Sequence, residues 1–178
     1  MSAVHPSDRH LVDTWADGVT GRVIDAGCGP GHWTSYLAQR GVAVSGVDLS
    51  EELIAHATAA HPLVSFEVGD VDEPSAETGS LGGLLSWYSL IHHEPSTMQV
   101  PLTEFARVLR PGGGLLVGFF EGPAIEKFDH AVLDAYTWPV AELSRELRAA
   151  GFEVIEAHTR TSVSGKPRPH GAIVAHRR

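Results

Sequence analysis

Residues 23–32 read VIDAGCGPGH. An apolar run ends at Asp25 and Ala26, and Gly27, Gly29 and Gly31 then occur at every second position. A strand that passes straight into closely spaced glycines marks a turn where backbone comes close to a neighbour. The dinucleotide fingerprint needs glycine at the first, third and sixth positions after such a strand. Here the sixth position is His32, and the third glycine falls one residue early, at Gly31. Taken alone, the pattern also fits a tight strand-to-helix turn that holds no ligand.

Two further acids bear on the choice. The stretch VSGVDLS places Asp48 at the end of the next β-type run, 21 residues after Gly27. A carboxylate there can accept both hydroxyls of a ribose. The stretch FEVGD places Asp70 at the end of the run after that, where a carboxylate can accept from an adenine amino group. In an open α/β sheet these strand ends meet in one crevice. A single aspartate at a strand end is usually a turn residue. Asp25, Asp48 and Asp70, at three successive ends, point to a site.

The remaining chain alternates β-type and helical segments. The β-type runs are 22–26, 42–47, 63–68, 81–87, 114–120, 152–159 and 170–176. Ser50 suits a helix cap, with Glu51 and Glu52 complementing the dipole and Leu53, Ile54, Ala57 and Ala60 along one face. Leu102, Phe105, Ala106 and Leu109 form a second stripe that stops before Pro111-Gly112. Pro139 opens a third helix, striped by Val140, Leu143, Leu147 and Ala150 and ended by Gly151. Alternating strands and helices predict a parallel sheet covered on both faces, with near-continuous apolar strands. Only ten residues separate Thr159 from His170. That gap cannot hold a crossover helix, so the last two strands form an antiparallel hairpin.

Composition narrows the function classes. The 178 residues suit a single domain over 1–178, with no internal repeat or long linker. A formal charge of −9 offers no footprint for nucleic-acid phosphates. Lys166, Arg168, Arg177 and Arg178 read as loop and terminal charges. The N-terminal MSAVHPSDRH lacks signal-peptide character, and the longest apolar stretch, residues 81–91, is too short to span a bilayer. One cysteine, Cys28, cannot form an internal disulfide, and it reads as a small residue suited to a crowded turn. These features predict a cytoplasmic protein with no nucleic-acid or membrane partner.

The chain resembles the class I S-adenosylmethionine-dependent methyltransferases of the small-molecule type. The residues that carry the likeness are VIDAGCGPGHWT (23–34), VSGVDLS (44–50), FEVGDVDEP (66–74), LLSWYSLIHH (84–93) and VLRPGGGLLVGFF (108–120). The resemblance implies a Rossmann-like, doubly wound, seven-stranded α/β sheet in the order 3-2-1-4-5-7-6, with the last strand antiparallel. It also implies S-adenosylmethionine as cofactor. Gly27, Gly29 and Gly31 then admit the methionine part, with Asp25 just behind and Gly31 where the tail passes. Asp48 takes the ribose and Leu49 packs on the adenine. Asp70 reaches the adenine amino group beside Val71, and Ser86 and Trp87 meet the methionyl amino group.

The cofactor's methyl is already electrophilic, so the protein must align a nucleophile and exclude water. A base is needed only when the nucleophile must lose a proton. His92 and His93, after the fourth strand, are the candidates. Being adjacent, they diverge, and each also reads as a solvent-facing or capping histidine. His92, His93 and Glu94 are too closely spaced to hold a metal. The chain lacks the Asn-Pro-Pro-aromatic run that implies a DNA-adenine or protein-glutamine target. Residues 121–139 form the longest insertion. They read either as a substrate cap, with Tyr88, Phe120, His130 and Tyr136 facing a small-molecule acceptor, or as a packed connecting helix with core aromatics. About twenty residues, anchored by Trp15, precede the first strand, so the pocket is open or is covered by a second subunit in a homodimer. An NAD-dependent oxidoreductase and a non-catalytic S-adenosylmethionine-binding module are the other two readings.

Overall fold

The computed structural model describes residues 4–130, 133–161 and 169–178. The elements run α1 (Pro6–Gly18), β1 (Val23–Ala26), α2 (His32–Gln39), β2 (Val44–Asp48), α3 (Glu51–Ala60), β3 (Ser65–Val68) and β4 (Leu81–Trp87). After two short 3₁₀ turns come α4 (Gln99–Val108), β5 (Leu109–Glu121), β6 (Glu126–Phe128) and β7 (Ala135–Trp138). The described chain closes with α5 (Val140–Ala149), β8 (Phe152–Arg160) and β9 (His170–Arg177).

The strands β1–β5 pair in parallel in the order β3-β2-β1-β4-β5. The free edge of β5 takes β9 antiparallel, and β9 takes β8 antiparallel. With β8 and β9 counted as the sixth and seventh main strands, this is the expected order 3-2-1-4-5-7-6 with the last strand reversed. The last two strands thus pair antiparallel, as the short gap between them requires. Most of their connection, including Lys166 and Arg168, lies outside the described residues.

Both sheet faces are covered, which explains the apolar strands. Val23 faces one cluster and Ile24 the other, and the same split holds for Leu85 and Leu84, Leu116 and Leu115, and Val174 and Ile173. Successive strand residues point to opposite faces, so a strand buried on both sides is apolar at every position. Leu11, Val12 and Trp15 of α1 and Leu37 of α2 cover the first face. Leu102 and Phe105 of α4 and Leu143 and Leu147 of α5 cover the second. Trp15 lies over Gly83 and Gly114, where a Cβ would come within 3.2 and 3.0 Å of its ring.

Four details differ from the sequence expectation. First, β3 is largely exposed rather than doubly buried, because it is the edge strand. Second, α3 buries only Ile54 and Ala57, while Leu53 and Ala60 face outward. Third, β5 begins five residues early, with Leu109 pairing Leu81. Fourth, residues 121–139 form no helix among the described residues. They carry β6 and β7, which pair antiparallel, and β7 then runs parallel to Phe120 and Glu121. β4 pairs β5 only as far as Gly118, so that edge is free for β7.

Candidate functional site

The glycine loop is pinned to the end of β2. The Gly27 and Cys28 amides both donate to the Val47 carbonyl, at 2.8 and 3.0 Å. Gly27, Gly29 and Gly31 all have left-handed φ, of 75°, 52° and 79°, a region most residues avoid. Their surroundings differ. A Cβ on Gly27 would lie 2.1 Å from the Ser89 Cβ, and one on Gly31 would lie 2.6 Å from the Phe66 ring. Those two glycines are demanded by the protein's own packing. A Cβ on Gly29 would meet nothing within 4 Å. The open backbone is therefore at Gly29, one step before the expected Gly31.

The three acids occupy unequal positions. Asp25 is fully buried, and its Oδ2 accepts from the Thr34 hydroxyl at 2.7 Å. Burial pushes its carboxyl up to about 7, against the pull of that hydrogen bond. Asp48 lies at the crevice, where Oδ2 accepts from the Gly29 amide at 2.8 Å and Oδ1 from the Ser50 amide at 2.9 Å. Each oxygen keeps a second lone pair for a ligand. Asp70 caps its own turn, accepting from the Asp72 amide at 2.9 Å. Leu49, next to Asp48 in the chain, is 70% exposed, and Val71 is half-buried against the larger core. Cys28 is buried, and burial raises its thiol further above neutrality, which leaves it inert.

The segment after β4 forms the other wall. The Ser86 hydroxyl meets the Ser89 hydroxyl at 2.7 Å, and Ser89 abuts Gly27. The Trp87 ring packs edge-on against Trp33 and Tyr88, with centroids 5.6 Å away in each case. The adjacent histidines do diverge. His92 Nδ1 meets the Asp134 carbonyl at 2.9 Å, while His93 Nε2 meets Asp72 Oδ1 at 2.7 Å. His93 thereby ties the loop after β4 to the loop after β3.

Among the aromatics, Phe120 is central. Its ring contacts Tyr88 at 5.0 Å, Phe128 at 5.4 Å and His130 at 5.9 Å. Tyr136 is buried in the larger core beside Trp138. A cavity of about 130 Å³ opens between α1, the end of β4 and the β8–β9 pair, bordered by Leu11, Trp87, Tyr88, Arg160, His170 and Ala172. Arg160 Nε donates to Asp8 at 2.8 Å, fastening α1 to β8 across this cavity. Asp8, Arg160 and His170 were not legible in the sequence. Asp8 and Arg160 are 152 residues apart along the chain, and no local spacing links them. Among the described residues no cluster of His, Cys, Asp and Glu is arranged to hold a metal ion. No helix among them is long and apolar enough to cross a membrane.

Comparison with known proteins places this crevice. The chain is 31% identical over 110 residues to the malonyl-[acyl-carrier protein] O-methyltransferase of Erwinia billingiae, covering 62% of this chain and 43% of that one. It is 33% identical over 140 residues to a probable S-adenosylmethionine-dependent methyltransferase of Mycolicibacterium smegmatis, covering 74% and 52%. The chain spans about half the length of the curated relatives it matches. Among solved structures, a SAM-dependent methyltransferase from Methanosarcina mazei superposes with a TM-score of 0.81 at 18% identity, covering 98% of each chain. The Burkholderia thailandensis 1,6-didemethyltoxoflavin-N1-methyltransferase, solved with S-adenosylhomocysteine, gives 0.78 at 24% identity, covering 96% of this chain and 80% of that one. At those identities the likeness is one of fold. Residues 23–113, from β1 through the start of β5, match the model of the family described as "Methyltransferase domain". That match covers more than half of the chain and includes the glycine loop, all three acids and both adjacent histidines, and on it the chain belongs to the methyltransferase domain family.

Proposed function

We propose that the protein transfers a methyl group from S-adenosylmethionine to a small-molecule acceptor, and that the described chain acts as one catalytic domain. The observation that carries the reading is the pairing of Asp48 with Gly29. One carboxylate holds the glycine loop by its amide and still offers lone pairs, beside the one loop glycine where a Cβ would meet nothing. Such a cradle suits a ligand with a ribose at one end and a compact zwitterion at the other.

In this reading Asp48 accepts the ribose hydroxyls, and Asp70 accepts from the adenine amino group. Leu49 and Val71 supply the apolar contact for the base. Gly29 gives the methionine tail close backbone approach, and Ser86 and Trp87 border that tail from β4. When bound, the cofactor supplies an electrophilic methyl on a positively charged sulfur. The protein's part is to hold it, orient the acceptor and exclude water. Asp25 stands behind the loop as a second, deeper acid. On the acceptor side Tyr88, Phe120 and His130 form an aromatic wall, to which β6 and β7 of the 121–139 insertion contribute. His92 and His93 serve mainly to hold that wall and the loop after β3. We read the protein as cytoplasmic, and as a homodimer if the acceptor side needs a cover; light scattering across a concentration series tests the latter.

Calorimetry with S-adenosylhomocysteine tests the assignment. The wild type should bind it, and Asp48→Ala should bind at least about tenfold more weakly, because two charge-assisted hydrogen bonds and the loop anchor are lost together. Equal binding by the variant removes Asp48 from the site. Binding of NAD in place of the nucleoside thioether would replace the methyltransferase reading with an oxidoreductase.

A further inference from the structure

The cavity between α1, the end of β4 and the β8–β9 pair contains an arrangement that the cofactor crevice does not account for. Tyr88 is the only non-glycine residue with positive φ among the described residues, at 61°. For a bulky side chain that conformation is strained and persists only where surroundings impose it. Here the Tyr88 amide donates to the Gly118 carbonyl at 2.9 Å. The Tyr88 hydroxyl is hydrogen-bonded to His170 Nδ1. Phe120 packs against both rings, 5.0 Å from Tyr88 and 5.7 Å from His170. Strain, a half-buried polar pair and an aromatic brace therefore converge on one hydroxyl.

The cavity's chemistry restricts what it can admit. Leu11, Trp87 and Ala172 make it largely apolar. Of its charged or titratable lining residues, Asp8 and Arg160 neutralise each other and His158 is engaged by Glu156, so a charged acceptor finds no unpaired counter-charge among the described lining residues. Ser7, His158 and Thr159 also border it, but the Tyr88–His170 pair is the polar group held in place by an aromatic brace, Phe120. A volume of about 130 Å³ suits one aromatic ring; a dry protein cavity of about 150 Å³ admits benzene. The segment that lines the cavity also reaches the glycine loop, because Trp87 and Tyr88 run directly into Ser89, which abuts Gly27.

From this geometry we infer that the cavity is the acceptor site for a neutral single-ring phenol, with Tyr88 and His170 as its proton relay. The inference rests on the methyltransferase reading above. As the acceptor oxygen gains a methyl group it must lose its proton. That proton passes to the Tyr88 oxygen while the Tyr88 proton passes to His170 Nδ1. The imidazole is left protonated on both nitrogens and releases one proton to solvent. The methyl–sulfur electron pair stays on sulfur, so charge balances: one positive charge leaves the cofactor and one proton leaves the protein. Burial and the nearby Arg160 hold His170 below its ordinary value, with Asp8 opposing and His5 assisting, so the ring is neutral, and burial raises the Tyr88 hydroxyl, so Tyr88 gives up its proton only as it gains the acceptor's. Neither His92 nor His93 lines this cavity. Tyr88 touches the acceptor, and His170 acts through it.

The test uses phenol as probe on protein saturated with S-adenosylhomocysteine. Calorimetry first establishes that the nucleoside binds; failure there overturns the methyltransferase reading rather than the relay. Phenol is then followed by its own NMR signals and by the ¹⁵N signal of His170 Nδ1. The wild type should bind phenol and shift that signal. Tyr88→Phe, which keeps the ring, should bind phenol about tenfold more weakly and leave the signal unmoved. His170→Gln should bind phenol nearly as the wild type does, yet transfer labelled methyl to it about a hundredfold more slowly. Its transfer rate should also lose the wild-type rise with pH. Absent phenol binding in nucleoside-loaded protein overturns the inference. So do equal binding by Tyr88→Phe, bound phenol that the wild type does not methylate, and undiminished transfer by His170→Gln.

Discussion

Replacing Asp25 by asparagine isolates the cost of a buried acid behind the glycine loop. The introduced amide keeps an oxygen to accept the Thr34 hydroxyl, so the hydrogen bond at 2.7 Å survives, and only the ionisation is removed. Asp25 holds its proton more tightly in the folded chain, at about 7, than at its ordinary value of 3.8. The folded state therefore carries the extra proton between those values, and stability falls as pH rises through that window. At ~1.4 kcal/mol per pH unit the full loss is about 4 kcal/mol. Roughly 1 kcal/mol of it is already lost by about pH 4.5, leaving about 3 kcal/mol to appear between about pH 4.5 and 8.5. Urea unfolding of wild type and Asp25→Asn at those two pH values reads the effect, because every other titrating group cancels in the difference. The variant's stability relative to wild type should rise by about 3 kcal/mol from the lower pH to the higher. A relative stability that changes by less than about 1 kcal/mol refutes the reasoning and makes Asp25 an ordinary ionised carboxylate.

Three further outcomes follow from the packing. Gly27→Ala places a Cβ against Ser89 at a left-handed φ and should destabilise the fold by about 2–4 kcal/mol, read as a lowered thermal midpoint. Leu84→Ala empties a fully buried position in the larger core and should cost about 2–5 kcal/mol in urea unfolding without altering the affinity for S-adenosylhomocysteine. Asp8→Leu and Arg160→Leu should each destabilise by about 1–3 kcal/mol, and the double variant by less than their sum, because each single change strands a half-buried charge.

Much of the fold was legible because its signals are local. The runs at 81–87, 152–159 and 170–176 became β4, β8 and β9 with one-residue changes at most. Ser50 caps α3 with a hydrogen bond from the Leu53 amide at 3.3 Å, and Gly151 takes a φ of 96° after α5. The insertion at 121–139 was less legible. Its aromatics suit a helix face or a strand equally, and the decision came from the free edge of β5 beyond Gly118, a tertiary opportunity with no sequence mark.

The site shows the same division. From the sequence alone came the strand-to-glycine turn, the acids at three strand ends and the reversed last strand, because these depend on short-range spacing and loop length. Tertiary structure decided which glycine is open, since only packing against Ser89 and Phe66 distinguishes Gly27 and Gly31 from Gly29. It separated the buried Asp25 from the half-buried Asp48, because burial is set by what lies above a residue rather than beside it in the chain. It alone joined Asp8, Tyr88, Arg160 and His170 around one cavity, through contacts spanning 82 and 152 residues. Such contacts form when a helix, the end of an inner strand and an edge hairpin close on one another, and no periodicity in the chain encodes them.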